Sequence, residues 1–259
     1  MLLRIFVGAS CYAPTMTFEL QAAADRLTEV CRTIFGEPST WIEADGYPDS
    51  LALCIIDSIF STGSHYTSVS HVVTAYRSYR RAQGGDPDTD GTAELLATFG
   101  EVGGSTAWAE LVVDNHKPAH SKPGALLKAE VIYRAAAVLD DSGVPTVAAL
   151  HQLHQADEDL TDVKEAWLRL PSQGSGVTFN YLLILAGLPS VKPDRMVIRF
   201  IEEYAGLTTA LTPAQTTMLI TEVAKLYPAD ARRLDHVIWR YASGREFRRA
   251  EPIGVGTVD

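Results

Sequence analysis

The stretch from Leu170 to Phe200, LPSQGSGVTFNYLLILAGLPSVKPDRMVIRF, holds the residues best placed for chemistry. A helix ending near Leu170 is followed by a tight Gly- and Ser-rich turn, and a second helix starts around Val177. Such a turn points successive backbone N–H groups outward at a helix N-terminus, a geometry that binds phosphate. After Gly187 a short LPSVKP connection leads to Asp194 at the start of a third helix, which presents the carboxylate at a mouth. A carboxylate fixed there can stabilise positive charge developing on a substrate, and can orient or deprotonate water. A plain interhelical turn and a simple helix N-cap are the bland alternatives for these two features. No strand precedes the turn, which argues against a nucleotide-binding glycine motif, and neither a Ser-centred hydrolase elbow nor HExxH occurs.

Apolar residues recur at helical spacing through most of the chain, and an all-α architecture follows. Thr17 caps a segment in which Leu20, Ala24, Leu27, Cys31 and Ile34 share a face and which Gly36 ends. Asp49 can cap the apolar run LALCIIDSIF, a buried core helix. A further helix follows the STGSHY loop through Val69, Val72, Val73 and Tyr76, before a polar, glycine-rich surface loop within RSYRRAQGGDPDTDG. Helices are expected at 91–99, 104–114, 123–142 and 147–154. Thr212 and Pro213 open another, and the last runs from about Ala229 to Ala242. Only LRIFV and WIE read as weak strands.

Composition describes an ordinary globular protein, with a net charge of −10. That charge opposes nucleic-acid binding, so any DNA contact must be local. MLLRIFVGASCYA has neither a basic leader nor a spanning length, and a cytoplasmic location without membrane contact is expected. Cys11, Cys31 and Cys54 are odd in number and widely spaced, unlike a disulfide framework or an iron–sulfur ligand set, and read as small buried hydrophobes.

The segment 170–200 resembles the helix-hairpin-helix and Gly/Pro/Asp signature of the endonuclease III and adenine glycosylase family of DNA glycosylases. The family's Leu-Pro-x-x-Gly start matches Leu170, Pro171 and Gly174, its essential Asp falls on Asp194 without a gap, and its following arginine finds Arg199. GALLKAEVIYRAA, Gly124 to Ala136, looks like the helix that precedes the hairpin, and IFSTGSHYTSV, Ile59 to Val69, is similar to the loop that intrudes into DNA. The resemblance covers roughly residues 50–206. It implies a two-lobed helical fold, in which residues 50–187 form the central bundle with the hairpin and residues 1–49 join 188–259 in a second lobe. The active site would lie in the cleft between them.

The activity implied is base excision from double-stranded DNA by a monomer that flips out a damaged or modified base, hydrolyses its glycosidic bond and leaves an abasic site. Asp194 would be catalytic. Leu170, Pro171, Ser172, Gly174, Gly176, Lys192, Arg195 and Arg199 would contact DNA, and Gly63, His65, Tyr66, Asp57 and Tyr181, with Ser61 nearby, would face the base. Strand-cleaving members carry a nucleophilic lysine where this chain has Gly176, so no lyase step is implied. Ser172 replaces the first hairpin glycine, Gly63 replaces the DNA-wedging glutamine, and the cluster cysteines are missing. No cofactor, iron–sulfur cluster or site metal is implied, although the hairpin admits a monovalent cation.

Two glycines in place of long side chains suggest a roomy pocket for a bulky modified pyrimidine of viral DNA, and hence a role in defence rather than repair. A non-catalytic helix-hairpin-helix DNA-binding module is the alternative. Around the site, Arg77, Arg80, Arg81, Arg232, Arg233, Arg245, Arg248 and Arg249 are candidates to rim a DNA channel, or ordinary solvated charge. Trp239 reads as core or cleft wall. His151 and His154, with Asp157 nearby, resemble a helical metal pair, for which a wet helix face is the simpler account.

Overall fold

In a computed structural model that describes residues 16–249, the chain is all-α, and no strand occurs among the described residues. Twelve α-helices follow in order. The first six are α1 (Phe18–Phe35), α2 (Leu51–Phe60), α3 (Tyr66–Ala82), α4 (Thr92–Val102), α5 (Ser105–Leu111) and α6 (Lys128–Asp141). The others are α7 (Val147–Ala156), α8 (Thr161–Leu168), α9 (Val177–Leu185), α10 (Arg195–Tyr204), α11 (Pro213–Leu226) and α12 (Ala231–Ala242).

Helix α2 is buried along its whole length because α3, α4, α6 and α9 surround it. Its N-cap is Ser50 and not Asp49: the Ser50 hydroxyl accepts the Leu53 N–H at 3.3 Å and itself donates to the Pro87 carbonyl at 2.8 Å. The cap thus also holds the 83–91 loop, where buried Asp90 accepts bonds from Tyr76 Oη at 2.8 Å and Arg80 Nε at 2.7 Å. Helix α6 begins at Lys128 rather than near 123, because Gly124 turns at φ 77° and Pro118 bridges Leu127 instead. The WIE strand reduces to one isolated bridge between Trp41 and Arg248, and LRIFV and Cys11 lie outside the described residues. The final helix starts two residues later than its periodicity suggests, at the Asp230 cap.

Buried apolar side chains sort into two clusters. One draws on α2 to α9 and holds Trp108, Trp167, Tyr76 and Phe60. The other joins α1 to α10, α11 and α12 around Phe35, Trp41, Phe200 and Val223. Cys54 belongs to the first and Cys31 to the second. Between the clusters the 44–47 segment lies against the end of α9. Tyr47 N–H donates to Leu185 O at 2.7 Å, and Arg232 donates to Ile184 O and Ala44 O, both at 2.8 Å. No helix among the described residues is long and apolar enough to cross a membrane.

Gly46 is required by that approach, since a Cβ there would run into the Leu185 carbonyl oxygen, a backbone atom that cannot swing away. Gly46→Ala is expected to destabilise the protein by about 1–3 kcal/mol, seen as a lower midpoint in urea denaturation. A midpoint unchanged from the parent protein would contradict the close packing at this seam.

Candidate functional site

The hairpin joins α8 to α9. Ser172 sits at φ 66° and Gly176 at φ 75°, so serine occupies the left-handed region in place of the glycine that favours it. Beneath the turn, buried Gln173 accepts from Thr178 Oγ1, which accepts from Trp167 Nε1 at 3.0 Å, and this chain fixes α8 against α9. Among the described residues, no acceptor meets the N–H groups of Gly174, Ser175 and Val177, which remain available to a ligand. A Cβ on Gly174 would meet nothing nearer than Leu168 O at 3.8 Å.

Asp194 is the N-cap of α10. Its Oδ1 accepts the N–H groups of Met196 at 2.8 Å and Val197 at 3.2 Å. Both bonds fall on one oxygen, so the carboxylate is held in place while Oδ2 carries no hydrogen bond among the described residues. The side chain is half-buried.

Lys192 stands beside it at the centre of a polar cluster. Its Nζ lies 3.4 Å from the centroid of the Tyr181 ring and donates to Ser61 Oγ at 3.3 Å. Its backbone N–H donates to Asp235 Oδ1 at 2.9 Å. Buried Asp57 accepts from Tyr47 Oη at 2.9 Å. Burial pushes the Asp57 carboxyl above its usual range against the opposing Tyr47 bond and Lys192 charge, and burial with the neighbouring Asp194 charge pushes Asp235 up. Burial holds the Lys192 ammonium below its usual value, against the pull of Asp194, Asp57 and Asp235. Asp57 and Asp235 are shut away inside the cluster, and Asp194 keeps a face to solvent.

Two further lysines hold the loop that leaves α2. Buried Lys128 donates from Nζ to Ile59 O at 2.8 Å, Phe60 O at 3.0 Å and Thr62 O at 2.6 Å, while Lys117 reaches Gly63 O and Ser64 Oγ. Burial, with Lys117 and Lys192 nearby, pushes the Lys128 amine down to about 7. Beyond this loop His65 and Tyr66 open α3 and are exposed. The Arg245 guanidinium lies 5.0 Å from the Tyr66 ring centroid and 4.9 Å from that of half-buried Trp239.

The structure therefore gathers Asp57, Ser61, Tyr181, Lys192 and Asp194 into one site. Lys192 is half-buried in that cluster, and Arg195 and Arg199 are exposed on α10. Leu170 is buried and Pro171 half-buried, which leaves Ser172, Gly174 and Ser175 as the outward part of the turn. Gly63 faces open space. A Cβ at Gly176 would meet Leu168 Cδ2 at 3.5 Å, which places that glycine against α8. Surface depressions of about 200 and 400 Å³ lie elsewhere, the first between α10 and α11 and the second at the end of α1.

Most arginines considered for a channel rim have partners in the protein. Arg77 and Arg81 pair with Asp88, Arg80 with Asp90 and Arg249 with Glu43, while Arg232, Arg233 and Arg248 hold backbone carbonyls. His151 bonds the Ala186 carbonyl at 2.8 Å, and no metal-holding group of three His, Cys, Asp or Glu occurs among the described residues. Tyr47, Lys117, Lys128 and Asp235 were not singled out from the sequence. Two of them left a signal there: Lys128 shares the helical face of Val131, Ile132 and Ala135, and Asp235 sits within the apolar stripe of Leu234 and Ile238.

Fold and site together define an all-α protein with a carboxylate–lysine cluster between two hydrophobic clusters, beside a Gly/Ser hairpin. The model of a domain family of unknown function, DUF8548, matches residues 25–243, and the chain belongs to that family. No curated protein and no solved structure matches it.

Lys128→Met strips the hydrogen bonds from three carbonyls at the end of α2. Stability is expected to fall by roughly 2–4 kcal/mol, measured by chemical denaturation. Unchanged stability would mean that water satisfies those carbonyls and that the lysine does not hold the loop.

Proposed function

We propose that this protein is a DNA glycosylase that extrudes a base and hydrolyses its N-glycosidic bond without cutting the strand. The observation that carries this reading is Asp194: a carboxylate fixed by its own helix through Oδ1, with Oδ2 free, in register behind a hairpin whose outward N–H groups suit phosphate. The two hydrophobic clusters suit two lobes with the site between them. As the bond between the sugar carbon and the base nitrogen breaks, the electron pair leaves with the base and positive charge builds on the sugar. Asp194 stabilises that charge and takes a proton from the water whose oxygen joins the sugar carbon.

The open space at Gly63 favours a base with a bulky substituent, such as a modified viral pyrimidine, and hence a defence role. Purified protein is to be offered duplexes carrying bulky modified cytosine, uracil, and alkylated or oxidised bases, with free base read by mass spectrometry. Release is expected to be greatest from the bulky base, and Asp194→Asn is expected to lower it by several orders of magnitude. Asn still caps a helix, so α10 is preserved and the loss reports chemistry. Retained release in Asp194→Asn would remove the catalytic assignment, and no release from any duplex would leave a DNA-binding module.

The product is expected to be an abasic strand that breaks only after alkali, with no protein–DNA adduct trapped by borohydride, because Gly176 carries no amine. An adduct that disappears in Lys192→Met would make Lys192 a Schiff-base nucleophile and overturn the hydrolysis-only reading.

A further inference from the structure

The Arg245 guanidinium has an unusual setting. It follows Gly244, which turns the chain at φ 71° after α12, and it is exposed. Among the described residues its side chain makes no ion pair or hydrogen bond, and it lies over two aromatic rings from different parts of the fold: Tyr66 at the start of α3 and Trp239 on α12. The stack continues inward, where the His236 ring lies 6.0 Å from that of Trp239 at an interplanar angle of 19°. Burial pushes His236 down to about 4, so it is a neutral ring near pH 7, and its Nε2 has no partner among the described residues.

Two facts connect this stack to the site. Tyr66 opens α3 at the end of the loop whose Ser61 accepts from Lys192 Nζ at 3.3 Å, and Tyr181 carries the Lys192 ammonium on its face. Tyr66 is also 63% exposed, a large aromatic surface in water. A guanidinium is planar, and it stacks on rings much as a nucleobase does.

We propose that Tyr66 and Trp239 form a stacking platform for an unpaired DNA base, on which Arg245 rests as a displaceable stand-in. This rests on the DNA-glycosylase reading and names the surface that receives the base. An arriving base exchanges one planar partner for another, and the freed guanidinium turns to the adjacent phosphate. The stacking that the base gains is set against the two cation–π contacts that it displaces.

The alternative role for the stack is a latch that only fastens α3 to α12. Tryptophan emission separates the two, because Trp41, Trp108 and Trp167 are fully buried and Trp239 is the reporter among them. The experiment uses the full chain carrying Asp194→Asn, so that binding is read without turnover. It compares a duplex with a single unpaired thymine with the same duplex fully paired. The bulged duplex is expected to quench emission and to protect it from acrylamide, and Trp239→Phe should remove most of that response.

Tyr66→Ala, at an exposed position that folding tolerates, is expected to weaken the bulged duplex about tenfold and the paired duplex less than twofold. Arg245→Ala should raise acrylamide quenching of the free protein, and the bulged duplex should restore protection. Equal weakening of both duplexes by Tyr66→Ala, or emission indifferent to the bulge while both duplexes bind, overturns the platform and leaves the latch. If neither duplex binds, the DNA reading itself falls, and the platform with it.

Discussion

An ammonium withdrawn from water costs several kcal/mol unless charge and hydrogen bonds around it compensate. Lys192 meets that condition with groups from four separate pieces of chain. Ser61 ends α2, Tyr181 is on α9, Asp194 opens α10 and Asp235 is on α12, with Asp57 adding its carboxyl from α2. The first two belong with the α2–α9 cluster and the last with the cluster built on α1, α10, α11 and α12. The lysine is thus satisfied only when the two sets of helices are in register, and its position fixes how they meet. Three carboxyls and one ammonium from both sets of helices meet there, which makes the cluster both a constraint on how the sets pack and a chemically loaded place in the protein.

The same logic explains the end of α2. A helix buried on every side must find donors for its last carbonyls. Lys128 does so from α6, and Lys117 continues the work along the loop to Ser64. The loop between α2 and α3 is therefore a short bracket tied by amines rather than a free strap, and it delivers Ser61 to Lys192 and Tyr66 to Arg245 from fixed positions.

Much of the fold was legible because helices announce themselves locally. The cap at Thr17, the cap and first-turn pair of Thr212 and Pro213, and the stop at Gly36 are signals that need only neighbouring residues. Where the sequence misled, a distant partner decided. Ser50 outranks Asp49 as a cap because its hydroxyl also bonds Pro87, and the WIE segment lies beside 247–249 for a single bridge. For the site, the Gly/Ser turn between two helices and the family resemblance brought the hairpin, Asp194 and the flanking Lys192 into view, since they lie close in sequence. Tyr47 was invisible, because nothing in its own surroundings indicates that its hydroxyl meets Asp57 on α2. The partners of several arginines were equally invisible, because the carbonyls and the carboxylate that Arg232, Arg233, Arg248 and Arg249 meet lie far along the chain.

That disposition of arginines bears on how an acidic protein would approach a polyanion. With a net charge of −10 and several of its arginines paired with carboxylates or bonded to carbonyls of the same chain, the protein carries no large excess of positive charge for phosphate neutralisation. Exposed Arg195 and Arg199 lie on α10 next to Asp194, and Arg245 lies a short way off over Tyr66. Under the glycosylase reading, long-range attraction contributes less than in a basic protein, and short-range terms carry more of the binding: uncharged N–H donors at the hairpin, and stacking on aromatic faces. Such terms act only when the nucleotide is already in the cleft, and they favour an unpaired base over intact duplex. Sparse basic charge then becomes a source of discrimination, because a duplex that does not surrender a base gains little from this surface.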